Sequence, residues 1–132
     1  MLLLAPAPVG DVLDRLTILA HKRTRVGGAA AVNVGREHEE LRRAWVAAGL
    51  GEPEAAPEYP ELDAVNRTLW DVEDRLRAAE AAGRFDAAFV VDARAVYRTN
   101  DRRAAIKRAV NLRLGSALVE EKAHPGYGGT DG

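Results

Sequence analysis

The chain has 132 residues, of which 47% are hydrophobic and 30% charged, and its formal net charge is -1. This composition is typical of one soluble globular domain. The balanced charge argues against a surface devoted to nucleic acid or anionic lipid, and the absence of cysteine excludes disulfides, thiolate nucleophiles and cysteine-based metal sites.

The N-terminal stretch reads MLLLAPAPVG and lacks the basic leader and apolar length of a signal peptide. We therefore expect a cytoplasmic protein. Apolar spacing then predicts a first helix from Gly10 or Asp11 to about Val26. Its polar residues should line the side that faces away from the core: Asp11, Asp14, Thr17, His21 and Lys22.

A second helix is predicted from about Gly35 to Ala48, with a helix stop at Gly49. His38 lies on the apolar side of this helix and is expected in the core. Three prolines in segment 51–60 predict a loop rather than a regular element.

The third helix has the clearest pattern, with apolar residues at three-four spacing from Leu62 to Ala79. Asp86 is predicted to cap a fourth helix that continues to about residue 121, with a kink or short break at 99–101. The short turn between these helices predicts an antiparallel hairpin over 61–121, in which the acidic segment 52–80 faces the basic segment 94–113.

These elements predict an all-α bundle of four to five helices, built around the hairpin. Residues 1–124 should form a single domain, and residues 125–132 a disordered tail. The apolar stripe from Ile106 to Leu118 extends beyond helix three, so it needs cover from the first two helices or from a second chain. We favour a homodimer for this reason.

Polar residues recur along the fourth helix at three-four spacing and raise the question of what they bind. They can dock on the acidic helix or form a solvated face. They can also bind an anion, because guanidinium, ammonium and amide groups supply directed hydrogen bonds. The predicted substrate-binding residues are Trp70, Asn100, Asp101, Arg103, Lys107 and Asn111, and the predicted acid/base residues are Asp14, Glu73 and Tyr97.

Three segments together resemble a family of short, all-helical bacterial proteins of unknown function: VGDVLDRLTIL, LWDVEDRLR and VYRTNDRRAAIKRAVNLRLGSALVEEKAH. The long block follows the pattern Tyr-x-x-Asn-Asp-x-Arg-Ala-x-Ile-Lys-x-x-x-Asn. The resemblance gives weight to the candidate residues but implies no reaction. The resemblance also implies an association with genes of cell-envelope sugar assembly, which concerns the neighbouring genes and not the chemistry of this protein. Asp11 departs from the family's usual Glu, and Arg15 from its usual Lys.

The segment LDRLTILAHKR is also similar to the first helix of the all-helical chorismate mutases, whose sites hold dicarboxylates with Arg and Lys. Thr17 replaces the second Asp of that pattern.

The sequence therefore predicts a protein that binds an anionic small molecule, such as a phosphorylated or carboxylated metabolite, and that can supply acid/base groups. An alternative is a non-catalytic interaction subunit of a larger biosynthetic enzyme. Nucleic-acid binding is the least favoured hypothesis, because acidic residues lie beside the basic ones and no aromatic residues that could stack on nucleobases are interleaved among them. No cofactor or metal site is predicted, because the sequence has no glycine-rich phosphate loop and no metal motif.

Overall fold

The structure is a computed structural model that describes residues 1–127. These residues form helices α1 (Val9–Lys22), α2 (Gly28–Ala47), α3 (Tyr59–Ala81) and α4 (Ala87–Arg113), and a short 3-10 helix (Pro53–Ala55). No strand occurs in this part of the chain, so the prediction of an all-α fold is confirmed. Over the same residues, none of the helices combines the length and the apolar character needed to cross a bilayer.

Helix α1 lies at the centre of the fold and packs against α2, α3 and α4. Leu13 and Leu16 are fully buried and form the core with Trp45, Leu62 and Val110. Because α1 has neighbours on several sides, its polar side is buried as well. The expectation that this side faces away from the core was therefore wrong, and Asp11, Asp14 and Thr17 have polar partners in α3 or α4.

The boundary between α1 and α2 differs from the prediction. Helix α1 ends at Lys22, and α2 already begins at Gly28. The alanine-rich segment at 29–31 has high helix propensity, which explains the earlier start. The predicted stop at Gly49 is confirmed, because this glycine has a left-handed φ of 82°.

Helices α3 and α4 follow one another in the chain and pack together. An ion pair of 3.0 Å joins Arg75 to Asp92. Asp86 caps α4, because its carboxylate accepts a hydrogen bond of 3.1 Å from the backbone N–H of Phe89. The predicted cap is confirmed. Segment 51–60 contains the 3-10 helix and the first residues of α3.

Helix α4 runs without a break through residues 99–101, where a kink or break was predicted. Thr99 is buried, and its hydroxyl accepts a hydrogen bond of 3.1 Å from Arg102. Its helix propensity is weak, but packing stabilises the helical conformation at this position.

Helix α4 ends at Arg113 and not near residue 121. Gly115 adopts a left-handed φ of 64°, and the backbone N–H of Ser116 donates to the carbonyl of Asn111 at 2.8 Å. These are the features of a glycine-terminated helix. The residues that follow, 114–127, are not helical and return along α4.

The apolar stripe that suggested a homodimer is covered within the chain. Val110 is fully buried as part of the core, and Ile106 and Leu114 pack against that core. Leu118 lies beyond the end of α4 and is exposed. The homodimer stays a prediction, and this stripe no longer requires it. The predicted disordered tail at 125–132 lies outside the described residues, except for 125–127.

Candidate functional site

A buried ion pair connects the first and last helices. Asp14 in α1 is 3% exposed, and both of its carboxylate oxygens are held by Arg103 of α4. The Arg103 Nε donates to Oδ1 at 3.0 Å, and Nη2 donates to Oδ2 at 2.5 Å. This bidentate geometry fixes the plane of the guanidinium. Asp14 and Arg103 were predicted as catalytic and binding residues, and the structure places them against each other.

Asn66 of α3 completes this polar centre. Its amide nitrogen donates to Asp14 Oδ1 and to the hydroxyl of Thr17, each at 2.9 Å. Thr17 in turn donates to the backbone carbonyl of Asp14 at 2.8 Å. Both amide hydrogens of Asn66 are engaged in this way, which leaves its carbonyl oxygen as a further acceptor. Three helices are thus joined by one network that satisfies a buried charge.

A pocket of about 430 Å³ opens beside this network, and we call it the Trp70 pocket. It brings together three of the predicted site residues, namely Trp70, Glu73 and Arg103. Its full lining is Ile18, His21, Asn66, Leu69, Trp70, Glu73, Asp74, Arg77 and Arg103.

The charges of the Trp70 pocket differ in how they are held. Hydrogen bonding to Asp14 raises the pKa of Arg103, so its guanidinium stays a cation. None of the ion pairs formed within residues 1–127 involves Glu73, Asp74 or Arg77. These three groups can therefore interact with a ligand without first breaking a bond inside the described part of the protein.

His21 forms a buried part of the pocket wall. It was expected to be exposed, but it is only 4% exposed, because α1 is central. Its ring meets the Trp70 ring edge to face, with centroids 5.2 Å apart. Neither ring nitrogen has a hydrogen-bond partner among residues 1–127. Burial lowers the pKa of His21, and the nearby Arg67 and Arg25 lower it further, so the ring is neutral at neutral pH.

Three other predicted site residues line a second pocket, which we call the C-terminal pocket. It has a volume of about 440 Å³ and lies between α4 and the returning segment 114–127. Asp101 pairs with Lys122 of this segment. Lys107 lies 3.2 Å from Asp11 and 3.7 Å from Glu120. The pairs with Lys122 and Glu120 attach the returning segment to α4. Asp101 and Lys107 therefore each have an oppositely charged partner within the protein.

The third of these residues, Asn111, is 2% exposed and has a structural partner. Its side-chain oxygen accepts a hydrogen bond of 2.6 Å from the backbone N–H of Gly10. The hydroxyl of Ser116 accepts one of 3.0 Å from the N–H of Val9. These bonds satisfy donors at the start of α1, which has no side-chain cap of its own. They depend on close contact, because a Cβ at Gly10 would lie 2.3 Å from the carbonyl oxygen of Lys107.

The last two predicted site residues line neither pocket. Tyr97 is exposed and its ring lies 5.1 Å from the ring of Tyr127. Asn100 is half-buried within α4. The predicted acid/base group of Asp14, Glu73 and Tyr97 is thus spread over a buried ion pair, a pocket and an exposed surface.

Comparison with known families matches residues 7–129, a range that includes both pockets, to a family of unknown function. The chain belongs to DUF6165. No curated protein and no solved structure matches it. Membership of DUF6165 brings no reaction with it, because the function of a protein depends on the chemistry of its site.

Four polar residues of this DUF6165 pocket were not predicted as site residues, namely His21, Asn66, Asp74 and Arg77. Asn66 and Arg77 continue the four-three-four spacing of Trp70 and Glu73 along one side of α3. That stripe was visible in the sequence, and it would have identified Arg77. His21 continues the three-four spacing of Asp14 and Thr17 on α1. Within the described residues, no group of three or more His, Asp or Glu side chains is arranged to hold a metal ion.

Proposed function

We propose that this protein binds an anionic small molecule, a phosphorylated or carboxylated metabolite, in the Trp70 pocket. The observation that carries the proposal is that two guanidinium groups, from α3 and α4, line one pocket. Arg103 is held in place by Asp14, so little side-chain entropy is lost when it binds. Arg77 supplies a charge that is unpaired within residues 1–127.

The two guanidinium groups differ in position along the pocket. Arg103 shares Asp14 with Asn66, whereas Arg77 lies eleven residues further along α3, about 16 Å by the rise of an α-helix. Long side chains reduce the distance between the two guanidinium groups, and both reach the same pocket. The ligand we propose therefore extends along α3 and over Trp70, whose ring offers it an apolar surface.

Glu73 is the acid/base residue of the proposal. It lines the Trp70 pocket between the positions of Trp70 and Arg77, and it is half-buried. A carboxylate at this position can accept or return a proton of the bound ligand. Asp14 orients Arg103 in this proposal, because proton transfer by Asp14 would require the buried ion pair to break.

Thermal melting with phosphate, sulfate, citrate and sugar phosphates tests the proposal without a known substrate. We expect at least one of these anions to stabilise the parent protein. Arg77→Gln should lose this stabilisation, since a charge-assisted contact contributes about 1.5–3 kcal/mol, or roughly ten- to a hundredfold in affinity. Arg36→Gln is the matched control, because Arg36 is exposed on α2 and lies outside the pocket. Equal responses from all three proteins would contradict anion binding at this site.

A second candidate function, as an interaction subunit of a larger biosynthetic enzyme, has one observation in its favour. Phe85, Val90 and Val91 form exposed apolar surface at the start of α4, and such surface is often used for protein contacts. We also propose that the protein forms a homodimer, that α3 and α4 run antiparallel, and that the protein is cytoplasmic. Light scattering tests the dimer, and a monomer mass at all concentrations would exclude it.

A further inference from the structure

The Trp70 pocket contains more hydrogen-bond acceptors than a simple anion can use. The carbonyl oxygen of Asn66 is left over from the Asp14 network, since both of its amide hydrogens are engaged. The carboxylates of Glu73 and Asp74 also line the pocket and form no ion pair within residues 1–127. Donors and acceptors thus stand side by side in the pocket wall.

A small anion such as inorganic phosphate fits this lining poorly. It can accept hydrogen bonds from the guanidinium of Arg103 or Arg77, but it repels the carboxylates beside them. It also leaves the Asn66 carbonyl without a donor. Along α3, Trp70 and Glu73 lie between Arg77 and Asn66, the residue that shares Asp14 with Arg103. A compact anion bound to one guanidinium therefore leaves much of the pocket lining without a partner.

We propose that the ligand carries an anionic group and, on the same molecule, hydrogen-bond donors in the form of hydroxyl or ammonium groups. The anion contacts the guanidinium groups, and the donors contact Asn66, Glu73 and Asp74. The carbon skeleton between them lies against Trp70. This inference rests on the proposed function and narrows it, since it excludes ligands that have only acceptor groups.

Three phosphate monoesters of similar size separate the possible donors. Ethyl phosphate has the anion and no further donor, glycerol 3-phosphate adds hydroxyl groups, and phosphoethanolamine adds an ammonium group. Isothermal titration of the parent protein should give at least one donor-bearing ester a Kd about tenfold or more below that of ethyl phosphate, the effect of one charge-assisted hydrogen bond. Whichever of glycerol 3-phosphate and phosphoethanolamine has the lower Kd shows whether the pocket prefers a hydroxyl or an ammonium donor.

Glu73→Ala tests whether the preference arises in this pocket. The variant should reduce the preference for the donor-bearing ester to less than threefold, and ethyl phosphate should bind equally well or more tightly, because a repelling carboxylate is gone. Asp74→Ala should act in the same direction and serves if Glu73→Ala does not fold. Glu80→Ala is the control, because Glu80 is exposed on α3 outside the pocket, and it should keep the parent's preference.

The outcomes separate this inference from the proposed function. Equal affinities of all three esters for the parent would overturn the inference and leave anion binding intact. A preference that survives in both pocket variants would also overturn it, since the donors would then be recognised elsewhere. If none of the three esters binds, the inference is overturned, whereas the proposed function fails only if citrate and the other anions of the melting test also leave the parent protein unstabilised.

Discussion

The approach of α1 to α4 at Gly10 gives the sharpest test of the structure. Gly10 is buried at the start of α1, and its N–H donates to Asn111 at 2.6 Å. A Cβ built at this position would lie 2.3 Å from the carbonyl oxygen of Lys107, a distance that real Cβ atoms essentially never show. The obstacle is backbone, so it cannot rotate away. Gly10→Ala must therefore move one helix relative to the other.

Two unfavourable contributions and one favourable contribution determine the free-energy cost of this movement. Ordinary contact begins at 3.4 Å, so the helices must separate by roughly 1 Å. Overpacking of this kind costs about 1–3 kcal/mol, and weakening the buried bond to Asn111 adds about 1–3 kcal/mol. The higher helix propensity of Ala offsets up to about 1 kcal/mol. These ranges add to about 1–6 kcal/mol, and from their midpoints we expect Gly10→Ala to lower the free energy of unfolding by about 3.5 kcal/mol.

Urea denaturation followed by circular dichroism measures this change, and Gly35→Ala is the matched control. Gly35 lies inside α2, and the nearest atom to its added Cβ is Arg23 Nη2 at 4.0 Å. That substitution should stabilise the protein by up to about 1 kcal/mol. A Gly10→Ala protein as stable as the parent would refute the close approach of α1 and α4 and the capping role of Asn111.

Three further predictions concern buried groups. Val72→Asp should unfold the protein, because Val72 is 3% exposed and an unpaired buried charge costs several kcal/mol; a melting temperature within a few degrees of the parent would show that this side of α3 is not buried. Hydrogen bonding from Arg113 lowers the pKa of Glu58, so the pair's stabilisation is present above the ordinary carboxyl value of 4.5 and is lost as pH falls through the lower folded value. Urea denaturation at several pH values from about 6 to about 3 should therefore show a fall in the free energy of unfolding, and this fall should be smaller in Arg113→Gln. The pKa of His21 is lowered in the folded protein, so the unfolded chain takes up a proton at a higher pH, and stability should fall as pH drops below 6.5 and level off below the folded pKa. His21→Phe should flatten this slope, and it is made in a His38→Asn background because burial lowers the pKa of His38 as well. An unchanged slope would exclude His21 as its source.

Local signals predicted the elements that local forces determine. The three-four spacing from Leu62 to Ala79 predicted α3 because that period matches the helix. Asp86 and Gly49 predicted a start and a stop, since capping and left-handed glycine are properties of a few neighbouring residues. The end of α4 was missed although Gly115 offers the same local signal as Gly49, a glycine in the left-handed region. The contact that secures this end is not local, because the hydroxyl of Ser116 accepts a hydrogen bond from the N–H of Val9 at the other end of the chain.

The candidate site could be predicted only in part, because its polar contacts join residues far apart in the sequence. Trp70, Glu73 and Arg103 were identified and do line one pocket. The pairing of Arg103 with Asp14 crosses 89 positions, and periodicity within a single helix carries no information about it. The same limit applies to His21, whose burial depends on the central position of α1 and not on its own neighbours.

The cap at the start of α1 has a consequence for the order in which the molecule becomes complete. Val9 and Gly10 leave the ribosome early, but the oxygens that accept their hydrogen bonds belong to Ser116 and Asn111, which are synthesised about a hundred residues later. The cap of α1 can thus form only after the C-terminal end of α4 has been synthesised. Until then its leading donors bond to water, and the central helix of the fold has neither its cap nor its contact with α4. Within the described residues, these two bonds thus join the first turn of α1 to the C-terminal end of α4.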